Sequence, residues 1–109
     1  MKSFYPNLKT RYVVALALLI GTTFVHADSC DDLIKMDGLF TKAFAECRFT
    51  YYAWRFQQDS QQCMSKKGKT VSKELFLTGQ STFTSSAETM GKEALCQKLM
   101  ADFPMTVKR

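Results

Sequence analysis

Residues 39–64, with the sequence LFTKAFAECRFTYYAWRFQQDSQQCM, hold the densest run of aromatic side chains in the chain. Seven aromatic residues fall within the 17 positions 40–56. We predict one helix over residues 39–64, because at about 100° per residue the apolar side chains sort onto two faces. One face carries Phe40, Phe44, Cys47, Tyr51 and Trp54, and the nearly opposite face carries Phe49, Tyr52, Phe56 and Cys63. Such a helix is usually buried between neighbours; the alternative is that one face is free for a partner.

Residues 1–27 have the composition of a secretory signal peptide. A basic start at residues 2–11 precedes an apolar run at residues 12–25, and Ala27 supplies the small residue before a cleavage site. The apolar run has 14 residues, short of the roughly 20 that span a bilayer. We therefore predict cleavage before Asp28 and a periplasmic or secreted protein, with a retained membrane anchor as the alternative.

Removing this segment changes the charge of the chain. The 109 residues carry 15 Lys and Arg against 10 Asp and Glu, a formal net charge of +5. Three of the basic residues and none of the acidic ones lie in residues 1–27, so residues 28–109 carry 12 basic and 10 acidic residues, a net charge of +2. Most of the basic excess belongs to the export signal, and we expect no nucleic-acid partner.

The composition of the mature chain argues against an enzyme. The only histidine, His26, lies in the predicted signal peptide. Catalytic Ser-His-Asp or Cys-His groups and histidine metal sites are therefore excluded from residues 28–109. The acidic residues near Asp28 lack the spacing of a calcium-binding loop. We expect no catalytic residue, no metal and no cofactor.

Four cysteines remain in the mature chain, and they predict two disulfides in an exported domain of this size. Zinc binding is disfavoured because there is no C-x-x-C pair. Cys47 and Cys63 would lie about 24 Å apart on one helix, so they should not pair with each other. We favour Cys30–Cys47 with Cys63–Cys96, and the alternative is Cys30–Cys63 with Cys47–Cys96.

The remaining mature chain also has helical character, with a single proline, Pro104. We predict an all-α domain of three to four helices over residues 28–104, followed by a flexible tail at residues 105–109. Before the aromatic helix we expect a short helix over residues 29–37 that ends at Gly38. After it we expect a short helix capped by Ser72, followed by a linker or weak helix at residues 79–86. The last expected helix covers residues 86–103 and begins with a capping box of Ser85 and Glu88.

Two groups of side chains are candidates for binding. Aromatic and arginine side chains dominate binding hot spots, and the first group is a contact patch of Arg48, Tyr51, Tyr52, Trp54, Arg55 and Phe56. The second group is a basic loop that faces anions, formed by Lys66, Lys67, Lys69 and Lys73.

These features favour a non-enzymatic protein-protein interaction module that serves a bacterial cell-envelope assembly. The expected partner is another exported or envelope protein, with an anionic membrane surface as a second partner. The alternative is a small secreted toxin, effector or membrane-active protein, since disulfides, lysines and dense aromatic residues suit that class as well.

Overall fold

The computed structural model describes residues 29–109, and the predicted signal peptide and its cleavage site lie outside these residues. The described chain is mostly helical and contains two disulfides, as the sequence predicts. Its helices are α1 (Ser29–Glu46), α2 (Trp54–Lys67), α3 (Lys69–Met90) and α4 (Lys92–Asp102). Two short strands, β1 (Tyr51–Tyr52) and β2 (Val107–Lys108), pair antiparallel, with Tyr51 opposite Lys108 and Tyr52 opposite Val107.

The first helix does not end at Gly38, so the predicted short helix over residues 29–37 is wrong. α1 continues through this glycine and packs closely against α3. A Cβ atom at position 38 would overlap the backbone carbonyl oxygen of Phe76. The glycine therefore permits a close approach between two helices instead of ending one.

α1 ends instead at Glu46, and the chain turns at Arg48. This break makes the predicted helix over residues 39–64 wrong. Arg48 has a left-handed backbone conformation, with φ of 58°. The N–H of Phe49 donates to the carbonyl of Phe44 (3.1 Å) and the N–H of Cys47 donates to that of Ala43 (2.7 Å). The hydrogen bond from Phe49 to Phe44, together with the left-handed conformation of Arg48, forms a Schellman motif at the end of the helix. In this motif the position of Arg48 is usually glycine.

The predicted linker at residues 79–86 lies inside α3, which has 22 residues. Gly79 again allows close packing, because a Cβ atom there would overlap the carbonyl oxygen of Lys35 on α1. Ser85 and Glu88 also lie within α3, so they do not form a capping box. α3 ends just before Gly91, which has a positive φ of 94°. The last helix begins only after this glycine.

The disulfides join Cys30 to Cys63 and Cys47 to Cys96, with Cα atoms 5.2 Å and 5.6 Å apart. The favoured pairing is therefore wrong, and the alternative pairing is the one observed. Because α1 runs without interruption, Cys30 and Cys47 lie at opposite ends of it, about 25 Å apart at 1.5 Å per residue. The two bridges tie the start of α1 to α2 and its end to α4, and they indicate an oxidising, non-cytoplasmic compartment.

The last residues, where the sequence predicts a flexible tail, pack against the rest of the domain. Val107 is fully buried, and its strand pairs with β1. Arg109 donates from Nε to the carbonyl of Cys47 (2.9 Å) and makes a bidentate contact with Glu93 (2.8 and 2.9 Å). Hydrogen bonding from Arg109 lowers the pKa of Glu93 to about 2. The C-terminus thus closes over the ends of α1 and α4.

Phe40 lies near the centre of the core. Its ring contacts those of Tyr52, Phe56 and Phe103, with centroids 5.9, 5.6 and 5.1 Å away. The surrounding buried cluster is completed by Ala43, Cys47, Phe49, Phe83, Leu95, Cys96, Leu99 and Val107. Every helix except α2 supplies a fully buried apolar residue to this cluster, and α2 packs Phe56 against its edge.

Candidate binding surfaces

The structure divides the predicted contact patch into two parts. Tyr52 and Phe56 pack against the core, whereas Arg48, Tyr51, Trp54 and Arg55 are exposed. The division follows from the break after α1, because β1 alternates its side chains between the two faces of the strand. Tyr52 therefore points inward opposite buried Val107, and Tyr51 points outward opposite Lys108.

The inward Tyr52 takes part in a buried polar cluster around Asp37. The Asp37 carboxyl accepts hydrogen bonds from the hydroxyls of Tyr52, Ser60 (2.8 Å) and Thr41 (3.3 Å). Burial, together with the hydrogen bond to Asp37, raises the pKa of Tyr52 well above its usual value. Tyr52 therefore stays protonated and donates, and the cluster holds α1, β1 and α2 together.

The exposed part of the patch surrounds the two-stranded ladder. The N–H of Ala53 donates to the carbonyl of Thr106 (2.8 Å), so Trp54 and Met105 leave the ladder at the same end. Trp54 is 67% exposed and Met105 is 78% exposed. At the other end, Lys108 Nζ lies 5.1 Å from the centroid of the Tyr51 ring. We call this region the ladder surface, formed by Tyr51, Trp54 and Met105 with Arg48, Arg55 and Lys108.

A groove lies beside the ladder surface, between α1, β1 and the start of α2. Its volume is about 430 Å³. Phe44 and Tyr51 supply aromatic walls, and the remaining lining side chains are Thr41, Thr50, Tyr52 and Gln57. The groove offers a concave site next to protruding apolar side chains.

The four lysines of the predicted basic loop lie on two helices and not on a loop. Lys66 and Lys67 end α2, and Lys69 begins α3 after the single residue Gly68, whose φ is 91°. Lys67 Nζ lies 3.0 Å from Asp31 Oδ1, so this lysine holds α1 against α2. Lys69 and Lys73 line a second groove, whereas Lys66 does not.

This second groove, the α2–α3 groove, has a volume of about 590 Å³. Met64, Phe76 and Leu77 form its apolar wall. Ser72 also lines it, but its hydroxyl donates to the carbonyl of Met64 (3.0 Å) and caps no separate short helix. The groove therefore combines apolar side chains with the two lysines of α3.

Several members of these surfaces were outside the sequence-based candidates, among them Met105 and Leu77. Met105 lies in the segment predicted as a flexible tail, and Leu77 lies in the short helix predicted after Ser72. Neither belongs to a motif, because an exposed apolar residue looks like a core residue in the sequence. Only the register of β2 and the packing of α3 reveal that they are exposed.

The fold and these surfaces define a small helical domain held by two disulfides. Within residues 29–109 no helix is long and apolar enough to cross a membrane. The same residues contain no group of three or more His, Cys, Asp or Glu side chains arranged to hold a metal ion. Comparisons of the chain with protein-family models, curated proteins and solved structures found no match.

Proposed function

We propose that this protein is an exported, non-enzymatic binding module of a bacterial cell-envelope assembly, and that the ladder surface is its protein interface. The observation that carries the proposal is the exposure of Trp54 and Met105 at one end of the ladder, where both side chains meet solvent. Large apolar side chains grouped on a surface are typical of interaction sites.

The ladder is anchored to the core by hydrogen bonds and packing, which favours binding. Trp54 follows directly after the last hydrogen bond between β1 and the C-terminal segment. Val107 of the ladder belongs to the buried cluster that also holds Phe40, Cys47 and Cys96, and Tyr52 packs against this cluster. Because these hydrogen bonds fix the backbone that leads into Trp54, little backbone freedom is lost when a partner covers its side chain.

The charges of the surface indicate an acidic partner. Arg48, Arg55 and Lys108 make no ion pair among the residues described by the structure. Arg109, which donates a hydrogen bond to the carbonyl of Cys47 beside Arg48, is already bound to Glu93. Three unpaired cations around exposed aromatic rings complement carboxylates on an exported protein, in the periplasm or outside the cell.

The test is crosslinking of the exported protein in its native envelope, with wild type compared with Trp54→Ala. A Trp54→Ala change at a binding hot spot costs 2 kcal/mol or more, about a 30-fold loss of affinity. We expect a defined crosslinked partner with acidic surface residues to be lost in this variant. The matched control is Val71→Ala, since Val71 is also an exposed apolar residue but lies on α3.

A circular dichroism spectrum must show that each variant is folded. If the crosslinked partner is retained in Trp54→Ala, or lost equally in Val71→Ala, the ladder surface is not the interface. If the protein has no partner and is found in the medium or in lipid fractions, the alternative class of secreted toxin, effector or membrane-active protein replaces the proposal.

A further inference from the structure

We propose that the α2–α3 groove binds a free, single-chain anionic amphiphile, such as a fatty acid or a lysophospholipid. The alkyl chain lies against Met64, Phe76 and Leu77, and the anionic head group lies against Lys69 and Lys73. This site is independent of the ladder surface, because Trp54 and the groove lie at opposite ends of the 14-residue helix α2, about 20 Å apart.

The apolar wall of the groove is open to a ligand. Leu77 is 48% exposed although it lies within a long helix, and Met64 and Phe76 line the same groove. The volume of about 590 Å³ falls within the range of small-molecule sites, roughly 300–1,000 Å³. An alkyl chain placed here removes apolar surface from water on both sides of the contact.

The lysines give the groove its preference for an anion. Lys69 and Lys73 are four residues apart on α3, so their side chains lie one turn apart on the same side of the helix. Neither makes an ion pair within residues 29–109, in contrast to Lys67, which is paired with Asp31. Two exposed cations beside an apolar wall complement a carboxylate or phosphate that carries an alkyl chain.

The same observations disfavour a bilayer as the occupant. Recognition of anionic membranes usually takes four to eight basic residues, at about 1 kcal/mol each, and this groove has two. Val71 is 44% exposed, but it lies roughly 160° around α3 from Lys73, so it does not extend the apolar wall into a face for insertion.

The probe for this site is laurate, below its micelle concentration, titrated calorimetrically into the purified exported protein. We expect one bound laurate, and a dissociation constant that rises about tenfold or more in Leu77→Ser and in Lys73→Glu. The matched controls are Val71→Ser and Lys66→Glu, which make the same changes at exposed positions outside the groove. These controls should leave binding within about twofold of wild type.

Three further titrations separate the contributions. Acetate carries the charge without the chain, and dodecyltrimethylammonium carries the chain with the opposite charge, so neither should bind. Trp54→Ala should bind laurate normally, which keeps this result separate from the test of the ladder surface. Circular dichroism checks that Leu77→Ser and Lys73→Glu keep the helical content of wild type.

Several results would overturn the proposal. These are no heat of laurate binding, equal weakening in the control variants, or equal binding of the cationic amphiphile. Sedimentation with phosphatidylglycerol vesicles in the absence of laurate binding would assign the lysines to a membrane surface and also overturn it.

Discussion

Asp37 shows how single side chains hold three elements together. Its carboxyl is buried on α1 and accepts hydrogen bonds from the hydroxyls of Thr41 on the same helix, Tyr52 on β1 and Ser60 on α2. No lysine or arginine within the described chain forms an ion pair with it. A buried carboxyl without a cation depends on hydrogen bonds, because it is costly to leave such a group without partners.

We predict that Tyr52→Phe destabilises the fold by about 1–3 kcal/mol, since it removes one of the three donors and leaves the carboxyl buried. The measurement is urea unfolding followed by circular dichroism. Tyr51→Phe is the matched control, because the side chain of Tyr51 points to solvent, and it should change stability by less than about 0.5 kcal/mol. Equal effects of the two variants would show that Asp37 does not depend on Tyr52.

At the scale of elements, the contact between α1 and α3 is the most extensive in the fold. Gly38 and Gly79 each place a bare Cα against a carbonyl of the opposite helix, at Phe76 and Lys35. The pairing of position 38 with 76 and of 79 with 35 shows that the two helices run antiparallel. Helices this close exclude a side chain at either glycine.

We predict that Gly79→Ala destabilises the protein by about 1–3 kcal/mol, because the added methyl group forces the two backbones apart. An alanine in place of a glycine inside a helix normally stabilises it by roughly 0.5–1 kcal/mol, so the predicted sign is opposite to the intrinsic preference. Urea unfolding measures the difference. Ser81→Ala, at an exposed position of the same helix, is the control and should be neutral or slightly stabilising.

A Gly79→Ala variant as stable as wild type would mean that α1 and α3 separate easily and that their contact contributes little. This result would leave the proposed ladder surface unaffected, because that surface lies near the other end of α1.

At the scale of the whole molecule, the two disulfides connect helices that are distant in the chain. They span sequence separations of 33 and 49 residues. Loop-closure entropy depends only on the logarithm of these lengths, so the two bridges restrict the unfolded chain to a similar degree. They differ in their surroundings, because Cys47 and Cys96 belong to the buried core cluster and Cys30 is only partly buried.

We predict that replacing Cys47 and Cys96 together by alanine destabilises the protein more than replacing Cys30 and Cys63. Loss of either bridge costs about 2–5 kcal/mol, and the buried pair adds the loss of packed sulfur atoms to this cost. Thermal unfolding of the two double variants compares them directly. An equal fall in the melting temperature would contradict the contribution of packing.

The pairing itself is checked by mass spectrometry of tryptic peptides without reduction. Lysine or arginine residues separate every neighbouring pair of cysteines, so each cysteine is released in its own peptide. We expect the peptide of Cys30 linked to that of Cys63. A link between the peptides of Cys30 and Cys47 would contradict the observed fold.

The candidate surfaces were only partly predictable from the sequence. The density of aromatic residues at positions 40–56 points to the region of the ladder surface, but a helical wheel places Tyr51 with Phe40 although one is exposed and the other buried. The wheel fails because the helix ends at Glu46 and the chain then turns at Arg48, which adopts a conformation that usually requires glycine. The sequence identified the lysines near Gly68 as candidates. Which of them forms an ion pair and which line a groove depends on how α2 and α3 pack.

The sequence by itself determined the helical class and the presence of two disulfides, because both follow from local preferences and from cysteine number in a short chain. The Cys47–Cys63 bridge is absent as predicted, but the prediction rested on one helix over residues 39–64, which the structure does not contain. Only the tertiary structure decided where α1 ends, which cysteines pair and which aromatic residues stay exposed. The physical reason is that these features depend on contacts between distant parts of the chain. Gly38 and Gly79 allow two helices to approach each other, and Val107 pairs with a strand residue 55 positions earlier. A local sequence pattern contains no information about either contact.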